Sequence, residues 1–248
     1  IRTIFNIGIS EGHAKKEDYP FGKDKVIIKR IDSTKIGLES HEVAALEELD
    51  LPENSFIDHA RNMWLFSFYF AGMRVSDQLM LKWSDFVSGR LHYTMGKNHK
   101  PGSVKVSGKA KNILDKYRDQ RDETNLVFLD MKDVPNLKDK NFYIPYLKER
   151  NKKLNKYLKK IGILIGLEKP LTMHIARHTF GNIAGDKIPL TKLQQLYRHS
   201  SIETTINYQK AFMNKGTDDA LDTVINFDNT DKLSEPETNY IPLTLSLL

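Results

Sequence analysis

The sequence predicts a mainly α-helical domain with one small antiparallel β-sheet, an α+β fold, and three observations lead there. Apolar residues recur at helical spacing through most of the chain, strict alternation is confined to residues 90–106, and Gly and Pro fall between these stretches. At 248 residues and 40% hydrophobic content, the chain is long enough for one large domain or a domain with part of another.

Ile1 to Lys16 carries apolar Ile4, Phe5, Ile7 and Ile9 and reads as the last helix of a preceding domain. A Tyr19-Pro20-Phe21-Gly22 break and a linker to about residue 32 follow it. From Ser40 a capped helix is expected, with Ser40 as N-cap and Val43, Leu46 and Leu49 on one buried face. The next helix, Phe56 to Ala71, is apolar nearly all round and belongs at the centre of the core. Gly72 ends it, and Ser76 caps a short helix through Lys82 with Asp77 in its first turn. Arg90 to Met95 and Ser103 to Val106 read as two strands joined by a turn through Gly96 to Gly102. The remainder to about Phe227 is helical, with breaks near 130–136, 166–172 and 185–189. The domain assignment is therefore 1–32 as the end of a preceding domain and linker, 33–228 as the main domain, and 229–248 as a loose tail.

Lys+Arg number 38 against 32 Asp+Glu, a formal +6, which favours a polyanionic partner. The distribution says more. Between Lys138 and Lys160 the bases include Lys148, Arg150, Lys152, Lys153 and Lys156, with only Asp139 and Glu149 opposing, so this stripe is a candidate for DNA backbone contact. Beyond residue 217 the chain turns acidic, and that part should avoid DNA. With no Cys, disulfides, thiolate chemistry and cysteine-based zinc sites are excluded. The longest apolar run, Met63 to Met73, is too short to span a bilayer, so no membrane segment is expected.

In Thr172-Met173-His174-Ile175-Ala176-Arg177-His178, a three-residue step puts His174 and Arg177 on one helix face, an acid-base group beside a fixed cation. Alone, that pattern is more often a helix start with a satisfied histidine. His174 and His178 are spaced for a shared metal, but Ile175 stands where a zinc site of this type needs Glu, and Arg177 would repel the ion, so no metal is expected. Further on, His199 and Tyr208 flank a polar turn and an amphipathic stretch with Ile202 and Ile206. A lone tyrosine there would be packing. No phosphate-binding glycine loop is present, since Ser103 and Ala110 stand where the Gly108-Lys109 segment would need Gly and Ser or Thr.

Together these segments resemble the tyrosine recombinase (phage integrase) family. Its Gly-x-Arg-x-Ser-Glu/Asp segment matches Gly72-Met73-Arg74-Val75-Ser76-Asp77, and its Leu-x-Trp-x-Asp stretch matches Leu81 to Asp85. The family's hairpin lysine maps onto Lys97, with Lys100 as the substitute. The His-x-x-Arg-His-Thr-Phe box is His174 to Phe180, the next histidine is His199, and the nucleophile is Tyr208. The departure is Arg198, where the family usually has Gly; a distorted turn and an added phosphate contact are both open.

The resemblance implies the tyrosine recombinase catalytic fold, preceded by a core-binding domain, and a site-specific recombinase that needs neither metal nor ATP. Arg74 and Arg177 would fork onto the scissile phosphate, His199 would add a hydrogen bond, His174 would accept the Tyr208 proton, and Lys97 would protonate the leaving 5′ oxygen. Asp77 would orient an arginine or histidine. The implied partners are double-stranded DNA at a specific site and other protomers in a synaptic tetramer. Residues 218–227 are either a helix docked on a neighbouring protomer or one packed in cis. A mobile-element integrase, cytoplasmic and nucleoid-associated, is the preferred reading. A non-catalytic DNA-binding regulator of the same fold, and a type IB topoisomerase or resolvase, are the alternatives.

Overall fold

A computed structural model describes residues 1–22, 24–27 and 36–209, without the side chains of 186 and 207–209. Residues 210–248 lie outside the described residues, and with them the helix expected at 218–227 and the tail expected from 229. The chain divides into two units, Ile1–Thr34 and Lys35–Leu248. In the first, α1 (Arg2–Ser10) covers the apolar pattern of Ile4 to Ile9 and stops short of Lys16, as Gly12 turns the chain at φ +78°. Phe5, Tyr19 and Phe21 meet edge to face to close this small unit.

The second unit is built around α3 (Phe56–Tyr69), whose Ala60, Met63, Trp64 and Phe66 are all fully buried. Ser55 caps it, its hydroxyl accepting from the Asp58 N–H at 3.3 Å. The helix is apolar nearly all round because it is covered nearly all round: α5 (Gly108–Tyr117), α6 (Lys140–Leu164) and α7 (Met173–Ala184) pack against it. α6 contributes Leu154, Leu158 and Ile161 to the same core, and α5 contributes Ile113 and Leu114. Burying one such side chain is worth roughly 1.5–3 kcal/mol.

Polar ties fix where α7 begins. Trp64 Nε1 donates to the Thr172 carbonyl at 3.1 Å, and the Met173 N–H donates to Asn155 Oδ1, from α6, at 2.8 Å. The entry segment before α2 (Ser40–Glu48) docks on the other flank of α7, with Leu38 N–H on Thr179 Oγ1 at 2.9 Å and Asn182 Nδ2 on Leu38 O at 3.0 Å. The N-cap of α2 is Glu39, one residue before the expected Ser40, and its N–H donates to Glu42 at 2.7 Å. Reciprocal bonding within a Glu pair replaces the hydroxyl cap that the sequence suggests.

After α4 (Val75–Gln78) the chain forms an antiparallel sheet in the order β1 (Phe86–Val87), β2 (Arg90–Thr94), β3 (Pro101–Lys105). The register pairs Leu91 with Val104 and Tyr93 with Gly102. Two strands are legible as alternation; β1, two residues long, carries too short a pattern to read. Pro101 and Gly102, which suggest a turn, lie in β3, and an edge strand tolerates the missing N–H. α8 (Leu190–Tyr197) and α9 (Ile202–Gln209) complete the unit. Leu193 and Tyr197 form a small separate cluster with Ala184, flanked by Phe180 and Ile188.

Candidate active site

The site begins with a turn. α3 gives way to Ala71 at φ +55° and Gly72 at φ +68°, and Ser67 holds the loop by accepting from Gly72 and Met73 N–H at 2.8 and 3.1 Å through its carbonyl. Its hydroxyl donates to Met73 O at 2.6 Å. This turn delivers Arg74 as the N-cap residue of α4. Glycine is required at 72 for two reasons. The backbone is left-handed, and a Cβ would lie 2.5 Å from Cα of Arg177, so α7 crosses the turn in direct backbone contact.

Arg177 is buried, and its environment is shaped to hold it. Nη1 donates to Gly72 O at 3.1 Å, Nη2 donates to Tyr197 O at 3.2 Å, and the guanidinium lies 3.9 Å over the Tyr197 ring. Tyr197 in turn donates its hydroxyl to Arg177 O at 2.6 Å. Nη2 also sits 3.3 Å from His199 Nε2. A guanidinium only donates, so in this contact Nε2 accepts, and neutral His199 carries its proton on Nδ1, facing Thr205 Oγ1 at 3.0 Å. Thr205, fully buried on α9, thereby orients His199.

His174, one turn before Arg177, borders a cavity with Arg74, Ser76, Asn151 and Asn155. The outer part of its side chain is exposed, but the packed remainder is desolvated, and this lowers its pKa from 6.5; the charges of Arg177, Arg74 and Lys97 lower it further. The imidazole is therefore neutral at pH 7 and free to accept a proton. Arg74 also lines an adjoining pocket with Asp77, Gly96 and Lys97. It makes no ion pair among the described residues, and Nη1 approaches only Met95 Sδ, at 3.6 Å. Lys97 is exposed at the tip of the β2–β3 turn. Lys100 is half-buried, and its N–H and carbonyl are engaged within the hairpin.

The phage integrase family model matches residues 38–215, most of the chain. The chain belongs to the phage integrase family. A lambda integrase dimer bound to a COC′ core site aligns with this family member at TM-score 0.56 and 16% identity, over 84% of this chain and 69% of the other. XerA recombinase aligns at 0.55 and 20%, over 78% and 66%. The Tn1549 transposon integrase in complex with a circular intermediate DNA aligns at 0.54 and 15%, over 84% and 71%. Against a longer lambda integrase chain, this sequence spans 56% of the length. The helices and three-stranded sheet are thus those of the tyrosine recombinase catalytic domain. No curated protein matches the chain in sequence. Among the described residues, no helix is long and apolar enough to cross a membrane.

Residues 74, 77, 97, 174, 177 and 199 gather around this one region of the integrase-family domain. Tyr208 is on α9, which packs against α7 and α8; its side chain lies outside the described residues. Three placements differ from the sequence expectation. Among the described residues Asp77 hydrogen-bonds no arginine or histidine; its Oδ1 accepts the Gly96 N–H at 3.0 Å, because the short α4 aims it at the hairpin. Burial raises its pKa, opposed by that hydrogen bond and by Arg74, Arg198 and Arg177. Arg198 is buried, and its guanidinium donates to Tyr93 O and Lys100 O at 3.0 and 3.2 Å instead of facing solvent for a phosphate. The basic stripe of α6 splits between two faces. Arg150 donates to Asp130 O at 2.9 Å and Lys153 lies 4.0 Å over the Phe56 ring, whereas Lys148, Lys152 and Lys156 form an exposed ridge. Each of these three follows Leu147, Asn151 or Asn155, residues that face the site pockets, by about 100° of helix rotation.

The supports that sequence reasoning missed are Tyr197, Thr205, Asn98 and Asn155. None sits in a motif that names it, and only their contacts reveal them.

The close approach at Gly72 predicts that Gly72→Ala lowers stability by at least about 2 kcal/mol through strain and overpacking. Gly89→Ala, at the similar φ of +71° but with nothing within 4 Å of the new Cβ, should cost only about 1 kcal/mol. Urea midpoints of the two variants would show it; equal losses would mean that backbone strain alone, not contact with Arg177, governs the turn.

Proposed function

We propose that this chain cuts and rejoins DNA at a specific site through a 3′-phosphotyrosyl link at Tyr208, using neither metal nor nucleotide. The observation that carries the reading is the convergence of Arg74, His174 and Arg177 on one cavity, with Lys97 in the pocket that adjoins it at Arg74. A pentavalent phosphorane needs fixed donors on its equatorial oxygens, and two guanidiniums supply them without titrating.

In this mechanism the Tyr208 oxygen attacks the scissile phosphorus and its proton passes to His174, which is neutral for the reasons above. The bond from phosphorus to the 5′ oxygen breaks, and Lys97 supplies that oxygen with a proton. A 3′-phosphotyrosine and a free 5′ hydroxyl remain. Rejoining is the reverse, with the 5′ hydroxyl of a second strand as nucleophile, and the ester conserves the energy of the broken bond. His199 contributes a donor to the phosphate once an incoming oxygen takes over the guanidinium protons that now face Nε2 and the ring proton moves from Nδ1 to Nε2, with the Thr205 hydroxyl then donating to Nδ1. Loss of any one such donor costs on the order of a hundred- to a thousandfold in rate.

The exposed ridge Lys148, Lys152 and Lys156 tracks the duplex backbone beside the site. Of the structurally similar proteins, lambda integrase is a dimer on a core site and the Tn1549 enzyme holds a circular intermediate DNA. These support duplex DNA and other protomers as partners; in our reading the working assembly is a synaptic tetramer, and the protein is a mobile-element integrase working on DNA in the cytoplasm.

A nicked suicide duplex carrying the cognate junction tests the chemistry. Wild-type protein should give a covalent protein–DNA band on a denaturing gel and Tyr208→Phe should give none; binding without a band in the wild type would sink the enzymatic reading. With protein below saturation, the rate of band formation should fall with acid as His174 gains a proton, with the midpoint of that limb below pH 6.5. An acid limb above 6.5 that survives in His174→Gln would remove His174 from the role of acceptor. Replacing Lys148, Lys152 and Lys156 together by Gln should lower the slope of log affinity against log salt by roughly 0.9 for each phosphate that is no longer neutralised. An unchanged slope would place the duplex elsewhere.

A further inference from the structure

The turn that carries Lys97 has little to hold it. It joins the central strand β2 to the edge strand β3, Met95 is the buried apolar residue at its base, and Gly96 and Lys97 are exposed. Asp77 grips one side through the Gly96 N–H. The other side is held by Arg198. Its Nη1 donates to carbonyls on both arms of the hairpin, Tyr93 O at 3.0 Å and Lys100 O at 3.2 Å, and its guanidinium lies 4.0 Å over the Tyr93 ring. Its own carbonyl accepts from Asn98 Nδ2 at 2.9 Å, one residue beyond Lys97. Strand β3 is hollowed to admit the side chain: a Cβ on Gly102 would fall 2.6 Å from Arg198 Nε.

The backbone of the same residue is left-handed, φ +52° and ψ +38°, and closes α8 immediately before His199. A side chain other than Gly, Asn or Asp is disfavoured there by roughly 1–2 kcal/mol. Arginine at this position is therefore held by what its guanidinium does. From this geometry we infer that Arg198 is a positioning residue that ties the Lys97 turn to the His199 turn, so that the proton donor for the leaving oxygen and the donor to the phosphate are assembled as one unit. It acts through Lys97 and does not contact DNA.

This role rests on Lys97 as the general acid, and the test separates the two. Arg198→Gly keeps the left-handed turn and the Asn98 bond to its carbonyl but removes the guanidinium tie; Arg198→Lys keeps a charge but loses the flat guanidinium that lies over the Tyr93 ring while its Nη1 reaches both carbonyls. Each would be compared with Lys97→Ala and wild type on two suicide duplexes, one ordinary and one with sulfur replacing the bridging 5′ oxygen at the scissile phosphate. A thiolate leaves without protonation, so sulfur bypasses the acid. On ordinary DNA, Arg198→Gly should cleave at least about tenfold more slowly, within the range of general acid catalysis. With sulfur it should return to within a few-fold of wild type, as should Lys97→Ala, and duplex affinity should be unchanged. Arg198→Lys should behave like Arg198→Gly.

Should sulfur rescue Lys97→Ala but not Arg198→Gly, Arg198 does not act through the acid and the inference falls while the mechanism stands. If neither is rescued, Lys97 is not the acid, and both fall. If Arg198→Lys retains full cleavage while Arg198→Gly loses affinity in step with rate, Arg198 is a phosphate contact after all. Hydrogen exchange at residues 96–100 gives a readout without catalysis: faster exchange in Arg198→Gly is expected, and unchanged exchange overturns the tie.

Discussion

The contact between the Gly72 turn and the backbone of α7 sets the positions of the groups around it. Because Gly72 has no side chain, α7 can lie within a Cβ radius of the loop, and Arg177 then reaches under that loop to Gly72 O, Tyr197 O and His199. Arg74 emerges from the other end of the same turn, two residues later. The two cations that face the cavity are thus fixed relative to each other by backbone packing, a stiffer constraint than any pair of flexible side chains provides. The Trp64 and Asn155 hydrogen bonds at the start of α7 and the Thr179 and Asn182 bonds on its flank hold the helix in the register that this contact needs.

Around that frame the electrostatics are one-sided. Arg74, Arg177, Arg198 and Lys97 surround a single buried carboxylate, Asp77, whose Oδ2 has no hydrogen-bond partner among the described residues. This grouping of cations suits recognition of a phosphate, and Arg177, Arg74 and Lys97 add to the downward shift of the His174 pKa. Asp77 is engaged by the hairpin backbone at Gly96, so the carboxylate restrains the Lys97 turn and, among the described residues, makes no ion pair with Arg74.

α6 separates three tasks around its circumference. Leu154, Leu158 and Ile161 face the core, Leu147, Asn151 and Asn155 face the site pockets, and Lys148, Lys152 and Lys156 project beside them into solvent. The bases that depart from this ridge have local partners: Arg150 at Asp130 O and Lys153 over Phe56, where they flank the contact of His59 Nε2 with the Asp130 carboxylate at 3.0 Å. Charge in a sequence run is therefore not equivalent to charge on one surface; helical spacing decides which of it can act together.

The sequence by itself determined the helical core, the central place of α3, the hairpin and the identity of the motif residues, because each is written in local periodicity or in residue types at fixed spacing. Arg74, His174, Arg177 and His199 could be named without coordinates because their segments resemble those of the tyrosine recombinase family. Tertiary structure alone decided what those residues touch. Arg198 reads as a distorted turn or an added phosphate contact and lies buried on the hairpin carbonyls, Asp77 reads as a partner for arginine or histidine and binds a backbone amide, and Gly72 reads as a helix terminator but serves as a contact point for α7. The reason is physical: periodicity encodes which face of an element is buried, whereas the partner across a contact lies far away in the chain, as Gly72 and Arg177 do, and is set only when the elements pack.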